Sequence, residues 1–492
     1  MKRIALSLIT FYIACPCALG NRPNIVFLFA DDQRPDTIAA HGNDYIQTPH
    51  LDRLAINGLS FTRNYCAGSY SGAVCVASRS MLMTGRHWHR IEDTRDWENI
   101  PTLPEQLGKT GYRTFAVGKW HNGAKTLTRS FQAGRNLFMG GMADHTKTSV
   151  QDLLPTGELT EKRLGKHFSS TLFADAAVGF IESHSSDSPY FLYVSFTAPH
   201  DPRNPPPAYR KIYNENRPPL PKNFLPDHPF DNAHLTGGKR DESLASHPRK
   251  RSDISDQLCE YYGLITQLDS QVGRILDAIE NSGQSKDTII IYTADHGLAM
   301  GSHGLLGKQN LYDHSMGAPL IVSGPGVPKN RQTNAFAYIL DLHKTILALS
   351  DTPVTADIDG VDLSPLFKNP NVQTRDSIFL AFQDKMRAIR DERYKLHVYP
   401  KINYTMLFDL EKDPNEMYNL ASDPLYSEKV ADLTELMKRW QKTVGDPSPL
   451  SVPNPGRKEI DFRTIERTLD RWQPEWIREK YFGGREDPDH GN

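Results

Sequence analysis

Several features that restrict what a protein can do are scarce or missing in this sequence. Only five of the 492 residues are cysteine, which excludes a small scaffold held together by disulfides. Acidic and basic residues nearly balance, 59 against 57, so the charge does not favour nucleic acid as the main partner. No apolar run after the first twenty residues is long enough to cross a bilayer, and no internal repeat is present. The remaining composition predicts a soluble chain with one large core and a smaller attached one.

The first twenty residues have the pattern of a signal peptide. Lys2 and Arg3 give a charged start, Ile4 to Ala14 is a short apolar run, and Ala18-Leu19-Gly20 supplies small residues for cleavage. We therefore expect a secreted or periplasmic protein without a transmembrane segment. Tyr12-Ile13-Ala14-Cys15 has some likeness to a lipoprotein box, but the tyrosine fits that motif poorly.

Removal of this segment leaves three cysteines, Cys66, Cys75 and Cys259. Cys66 and Cys259 can pair or stay as thiols, and the sequence does not decide between these states. An isolated cysteine is most often a small buried apolar residue. Cys75 is set apart because Arg79 follows four residues later and Met83-Thr84-Gly85-Arg86 follows soon after.

Four short apolar runs, each rich in β-branched or aromatic residues, are followed by chargeable residues. They are Ile25–Phe29 before Asp31 and Asp32, Thr114–Val117 before Lys119 and His121, Phe191–Val194 before His200, and Ile289–Tyr292 before Asp295 and His296. Such runs are typical of strands buried on both faces. An amphipathic helical pattern from Tyr261 to Ile279 ends before Gly283. This alternation predicts an α/β fold, a mostly parallel mixed sheet between helices, with ligands at the carboxyl ends of its strands.

The organisation of the chain changes twice more. Residues 201–255 form a long excursion rich in proline, which predicts a functional lid or a disordered loop. Its basic cluster Arg249-Lys250-Arg251 is interpreted as a solvated surface in preference to a polyanion site. Short strands at 377–382, 386–390, 394–398 and 406–410, followed by a helix at 426–443, predict a C-terminal α+β subdomain. We therefore divide the chain into a signal peptide (1–20), a catalytic domain (21–375), an antiparallel-sheet subdomain (376–445) and an extension (446–492).

Two kinds of side chain at these strand ends suggest catalysis. Asp31, Asp32 and Asp295 are carboxylates suited to a hard divalent cation, although Asp-Asp pairs in loops often serve only as turn or capping residues. Cations beside a nucleophile stabilise its anionic form, and histidines move protons near neutral pH. The candidates for these roles are Lys119, His121, His200 and Lys308.

These residues belong to a series of motifs that resembles the type I sulfatases of the alkaline phosphatase superfamily. The matching motifs are Arg22-Pro23-Asn24-Ile25 with Asp31-Asp32, Thr48-Pro49-His50-Leu51-Asp52, the Cys75 motif, Gly118-Lys119-Trp120-His121, Ala198-Pro199-His200, Asp295-His296-Gly297, Gly304 to Lys308, and Gly360-Val361-Asp362-Leu363 with Pro365-Leu366. The resemblance spans Arg22 to about Leu420 and is nearest to bacterial polysaccharide sulfatases and iduronate-sulfatase-like enzymes. The chain departs from the usual pattern at Ala77, where proline is common, and at His296, where asparagine is common.

The resemblance implies a role for each candidate. Cys75 would be oxidised to formylglycine by a formylglycine-generating or anaerobic sulfatase-maturating enzyme, and its hydrate would be the nucleophile. Asp31, Asp32, Asp295, His296 and the converted Cys75 would bind one divalent cation, with calcium the family expectation and magnesium or manganese still open. Arg79 and Lys119 would orient the hydrate, and His121 would take a proton from its second hydroxyl to expel sulfate. His200 and Lys308 would bind the sulfate and assist the leaving oxygen.

The resulting prediction is an exported sulfatase that acts on a sulfated sugar or polysaccharide. Two alternatives remain open, a phosphonate or phosphate-ester hydrolase of the same superfamily and a sugar-binding pseudo-enzyme in which Cys75 stays unmodified. Substrate selectivity is expected in the loops at 87–95, 141–148 and 201–255.

Overall fold

The structure is a computed structural model that describes residues 22–185, 188–235 and 240–462, together with residues 475 and 479. The predicted signal peptide and most of the predicted extension after residue 462 lie outside the described residues. Among the described residues, no helix combines the length and apolar composition that crossing a membrane requires.

The described part of the chain alternates strands and helices. The strands are β1 (Asn24–Ala30), β2 (Gly58–Phe61), β3 (Asn64–Tyr65), β4 (Gly68–Ser69), β5 (Arg113–Lys119), β6 (Ala133–Phe138), β7 (Ser149–Leu153), β8 (Arg163–Leu164), β9 (Tyr190–Ser195), β10 (Thr288–Ala294), β11 (Leu320–Ser323), β12 (Arg331–Thr333), β13 (Ala337–Tyr338), β14 (Ile378–Phe382), β15 (Met386–Arg390), β16 (Tyr394–Tyr399) and β17 (Tyr404–Asp409). The helices are α1 (Pro49–Ile56), α2 (Val74–Thr84), α3 (Leu103–Lys109), α4 (Ala124–Ser130), α5 (Ser169–Ser183), α6 (Pro207–Glu215), α7 (Arg251–Asn281), α8 (Asp313–Met316), α9 (Asp341–Leu349), α10 (Pro365–Lys368) and α11 (Ser427–Val444).

A ten-stranded sheet forms the centre of the larger part, in the order β12-β2-β11-β10-β1-β9-β5-β6-β7-β8. The predicted α/β fold with a mostly parallel mixed sheet is confirmed. The four strands predicted from apolar runs are adjacent, since β5, β9, β1 and β10 pair in parallel in that order. The side chains of β1, β9 and β10 are almost completely buried, as expected for strands covered on both faces, and those of β5 are buried toward its carboxyl end.

The smaller part is built on a five-stranded sheet in the order β17-β16-β15-β14-β4, packed with α11. Strands β14 to β17 are antiparallel neighbours, as the sequence predicts. The fifth strand comes from much earlier in the chain, because Gly68 and Ser69 of β4 pair in parallel with Ala381 and Phe382 of β14. The domain boundaries at residues 375 and 445 stay predictions.

The excursion over residues 201–255 is largely structured in its described part. It contains α6 and leads into α7, and these two helices pack against each other. The interpretation of its basic cluster is wrong for Arg249, which is buried with its guanidinium 2.5 Å from a carboxylate oxygen of Glu242. Local charge did not reveal this partner, because a buried ion pair and a solvated basic run look the same in sequence. Lys250 and Arg251 are exposed.

The three cysteines in the described residues are all buried free thiols, so Cys66 and Cys259 do not pair.

Candidate functional site

The site lies where the four central parallel strands end. Asp31 follows β1, Asp295 follows β10, His200 follows β9, and Lys119 is the last residue of β5. Parallel strands place their carboxyl ends at one edge of the sheet, so residues distant in sequence meet there. The in-register pairing of Ala30 with Ala294 sets the aspartates after β1 and β10 side by side.

Three carboxylates and a thiol form the centre of this cluster. Ligand atoms of Asp31, Asp32 and Asp295 lie within 4.8 Å of one another, as do those of Cys75, Asp295 and His296. All five side chains are buried. Burial raises the pKa of Asp32 to about 7, against the opposing charges of Lys308 and His296. Holding the three carboxylates this close therefore costs free energy through repulsion between like charges, and a bound cation would offset that repulsion.

Two orphaned atoms show that this donor set fits a divalent cation. Oδ1 of Asp31 and Nε2 of His296 are buried without a hydrogen-bond partner. His296 bonds through Nδ1 to the carbonyl of Gly297 at 2.9 Å, which leaves Nε2 facing Asp32 Oδ1 at 3.4 Å. Although burial opposes protonation of this ring, Asp295 and Asp32 raise the pKa of His296 to about 9. The cluster thus attracts positive charge at this point, and oxygen-rich sets of this kind suit a hard cation.

Cys75 lies in the first turn of α2, at the edge of this cluster. Its Sγ is 3.2 Å from Nδ1 of His121 and 3.7 Å from Nζ of Lys119. Burial alone raises the pKa of a thiol, but Lys119, His121 and Lys308 hold the pKa of Cys75 well below its usual value. Positive groups and a helix N-terminus stabilise negative charge at this position.

Arg79, one turn further along α2, connects the helix to the strand ends. Its guanidinium lies 3.3 Å from Asp295 and 3.6 Å from Asp31, and it donates a 2.5 Å bond to the hydroxyl of Ser195. The ring of Phe29 stacks beneath it at 4.9 Å. Since Arg79 is buried and held from several sides, it fixes the orientation of the helix that carries Cys75.

The end of β5 is irregular where it enters the site. The pairing of β5 with β6 shifts register between Val117 and Gly118, and Gly118 has φ of 84°. A Cβ at Gly118 would lie 2.0 Å from the carbonyl oxygen of Ser195, so only glycine fits there. Bulges re-aim the side chains that follow them. Here they are Lys119, whose Nζ is 2.5 Å from Asp31, and His121, which has φ of 71°.

Lys308 and His200 meet on the Asp32 side of the cluster. Nζ of Lys308 is 2.8 Å from both carboxylate oxygens of Asp32 and 3.1 Å from Nε2 of His200. His200 donates through Nδ1 to the carbonyl of Asp201 at 2.8 Å, so Nε2 is its acceptor atom. Burial and the charge of Lys308 hold the pKa of His200 well below its usual value. A neutral imidazole therefore faces the cluster.

All residues predicted for the site thus lie together, but several neighbours were not predicted. Arg240 forms an ion pair with Asp201, and Gln309 bonds to Asp241 and to the carbonyl of Gly72. No local pattern marks these residues, because their partners are close only in the folded chain. Tyr193 and Ser195, whose hydroxyls accept hydrogen bonds from Arg79, were also not predicted. Their two-residue spacing in β9 places both hydroxyls on one face of the strand, and this spacing was the one sequence signal that could have indicated a polar partner there.

An open cavity of about 710 Å³ leads to the cluster, a size typical of small-molecule sites. Cys75, His121, His200 and Lys308 line its inner end. Of the three loops predicted to set selectivity, residues 141–148 and 201–255 both contribute to the lining. The described loop at 87–95 does not, since His87 and His89 instead pack against each other and His89 contacts Asp446.

Comparisons with known proteins agree with this geometry. The family profile described as sulfatase matches residues 23–352, and that of the C-terminal part of N-sulphoglucosamine sulphohydrolase matches residues 301–443. An N-acetylglucosamine-6-O-sulfatase of Bacteroides thetaiotaomicron is 25% identical, over 87% of this chain and 88% of the relative.

Two solved structures share the fold. One, in complex with its substrate D-glucosamine-2-N,6-O-disulfate, has a TM-score of 0.75 at 23% identity, over 87% of this chain and 99% of that chain. The phosphonate monoester hydrolase of Agrobacterium radiobacter has a TM-score of 0.69 at 23% identity, over 86% of this chain and 96% of that chain.

Proposed function

Because the chain belongs to the sulfatase family, and is thus a sulfuric ester hydrolase of the alkaline phosphatase superfamily, we propose that it removes sulfate from a sulfated sugar of the glycosaminoglycan or polysaccharide type. We further propose that residue 75 acts as formylglycine and that the protein is exported. One observation carries the mechanism: Cys75 lies within 4 Å of both His121 and Lys119, at the inner end of an open cavity.

Conversion of Cys75 would supply an aldehyde hydrate whose hydroxyl attacks sulfur, at the position that Sγ now marks. Lys119, whose Nζ is 3.7 Å from Sγ, would hold positive charge beside the attacking oxygen, and Arg79, paired with Asp295, would orient the helix that carries residue 75. His121 Nδ1, 3.2 Å from Sγ, is placed to accept the proton of the second hydroxyl.

The other half of the site serves the sulfate and the leaving group. Lys308 and His200 line the cavity beside Asp32, where they can bind the anionic oxygens of the ester. Nε2 of His200 is an acceptor in this arrangement, so it would first take a proton from the Lys308 ammonium group 3.1 Å away and would then pass it to the leaving alkoxide.

Asp31, Asp32, Asp295 and His296, with the converted residue 75, would bind one divalent cation, which we propose to be calcium. Bound there, the cation supplies Lewis acidity toward an ester oxygen and toward the hydroxyl of residue 75. The unpartnered Oδ1 of Asp31 and Nε2 of His296 are the atoms that support this assignment.

The test of the proposal uses protein produced with and without a formylglycine-generating enzyme. Mature protein is expected to hydrolyse both 4-nitrophenyl sulfate and a panel of sulfated oligosaccharides, and Cys75→Ala to be inactive on both. Cys66→Ala is the matched control, because Cys66 is also buried but does not line the cavity. Full activity in protein whose Cys75 is shown by mass to be unmodified would contradict the mechanism.

The same assay separates the alternatives. A phosphonate or phosphate-ester hydrolase would prefer aryl phosphonate or aryl phosphate to aryl sulfate. A sugar-binding pseudo-enzyme would bind sulfated oligosaccharides without turnover even when it is produced together with the maturating enzyme.

A further inference from the structure

One wall of the cavity is formed by the edge of the central sheet. Ser149 and Gln151, two residues apart on β7, both line the cavity, as does Leu137, which pairs with Gln151 from β6. Ser149 and Gln151 share a face because alternate residues of a strand do. Lys147 lies in the bend just before β7 and also lines the cavity.

Strand β8 extends the same face. Val150 pairs with Arg163, and continuing this register by one residue brings Lys162 beside Gln151. Lys162 also lines the cavity. Arg163 lies on the opposite face and is engaged with Asp152 at 2.8 Å.

The two lysines give this wall an uncompensated positive charge. Lys147 and Lys162 are exposed, and neither has an ion-pair partner among the residues that the structure describes. Asp241 is the one carboxylate among the described lining residues, and it is already bound to Arg240 and Gln309. An anionic ligand group entering this part of the cavity therefore meets two available cations and no available anion.

The position of this wall separates it from the reacting groups. Among the described residues, no hydrogen bond or ion pair joins either lysine to Cys75, His121, His200 or Lys308, whose side chains bond to one another or to Asp32. The wall would therefore contact a part of the ligand other than the sulfate group that is cleaved.

We propose that Lys147 and Lys162, with Ser149 and Gln151 between them, form a subsite for a second anionic group of the sugar, either a sulfate or a carboxylate. This inference rests on the proposed function, and it narrows the substrate to saccharides that carry at least two negative charges. The subsite acts on binding and not on the chemical step, since it lies on a part of the cavity that the reacting groups do not reach.

The test measures affinity by calorimetry on the unmatured protein, so it does not depend on turnover. The ligands are glucosamine with one sulfate, glucosamine with two sulfates, and a disaccharide of a uronic acid with singly sulfated hexosamine. Lys147→Ala with Lys162→Ala is expected to weaken binding of doubly charged ligands about tenfold and of the singly sulfated sugar less than about twofold. Raising the salt concentration should shrink this difference, because the lysines are exposed.

Lys166→Ala is the matched control, since Lys166 is an exposed lysine of the same segment that does not line the cavity. Lys147→Arg with Lys162→Arg should keep the preference. A loss confined to the disulfated ligand assigns the subsite to sulfate, and a loss confined to the uronate ligand assigns it to carboxylate. Equal losses for singly and doubly charged ligands, or none, would overturn the subsite. Absence of turnover in mature wild-type protein would instead refute the proposed function.

Discussion

Gly141 lies directly against His121, so closely that a Cβ on Gly141 would be 2.5 Å from Nε2 of the ring. The imidazole of His121 therefore packs against the backbone of Gly141, and its Nδ1 faces Cys75. A glycine that neither binds nor reacts thus sets the position of a proposed proton acceptor.

Gly141→Ala is expected to displace the ring and lower kcat about 10- to 100-fold on every substrate, because misplacement of about 1 Å is costly in catalysis. Gly179→Ala is the control, as a Cβ there meets nothing within 4 Å, and in helix α5 it should be neutral or slightly stabilising. Steady-state kinetics of both variants measure the difference. Unchanged kcat for Gly141→Ala would show that His121 is not held by this contact.

Chelation is expected to lower both activity and the temperature of unfolding, and a divalent ion should restore both. The reason is the repulsion among Asp31, Asp32 and Asp295 when no cation is present. At a free ion concentration of about a hundred times Kd, binding of the ion should raise the free energy of unfolding by about 2.7 kcal/mol. Asp31→Asn should remove most of this response, as measured by thermal unfolding with and without chelator. Identical unfolding after verified metal removal would refute the metal assignment.

The two histidines should differ in their dependence on the leaving group. His200→Ala is expected to lower kcat/KM on sugar sulfates about 100-fold or more, and far less on 4-nitrophenyl sulfate, because an activated leaving group needs no proton. His121→Ala should slow steady turnover of both and show a rapid burst of 4-nitrophenol first. Stopped-flow and steady-state assays distinguish these patterns. Equal losses on both substrates for His200→Ala, with no burst for His121→Ala, would reverse the assignment.

Arg249→Ala is expected to destabilise the protein by about 3–5 kcal/mol, because it leaves Glu242 buried without its charge partner. Glu242 also accepts the amides of Leu306 and Gly307, so the segment that carries Lys308 should loosen and activity should fall. Lys250→Ala, at an exposed neighbour, should change stability by less than about 0.5 kcal/mol. Chemical denaturation compares the two variants, and similar values would contradict the role of the buried pair.

His343 should contribute to acid sensitivity. Burial lowers the pKa of His343 from 6.5 to about 4, and its ring bonds to the carbonyl of Leu82 and the amide of Gln106. Between these pKa values the unfolded chain binds the proton and the folded chain does not, so stability falls as pH falls from about 6.5 to about 4, by up to about 1.4 kcal/mol per pH unit. His343→Gln should flatten this slope, as followed by denaturation at several pH values. An unchanged slope would exclude His343 as a source.

The central strands and the strand-end residues could be predicted because both follow from local rules. An apolar run such as Ile25–Phe29 predicts a buried strand, and parallel strands bring their ends together, so Asp31 and Asp295 were expected to meet. The cavity wall could not be predicted in this way. Strand β8 has two residues, too few for any periodicity, and Lys162 is brought to the cavity only because its neighbour Arg163 pairs with β7.

The partners of buried ion pairs also could not be predicted from the sequence. Arg249 is buried through Glu242, seven residues away across irregular backbone, and its burial depends on the loop at 304–307 closing over it. Nothing in a run of three basic residues distinguishes the one that folds inward.

Strand β4 ties the start of helix α2 to the smaller sheet, since Gly68 and Ser69 pair with β14, more than half a chain later. During synthesis from the amino end, the segment around Cys75 emerges long before Ile378–Phe382 exists to hold it. Cys75 in the finished fold is only 2% exposed, in a helix whose every residue is buried. The order of the elements along the chain therefore opens an interval in which this cysteine is accessible to a modifying enzyme, and it ends once β14, in the last quarter of the chain, has been made and has paired with β4.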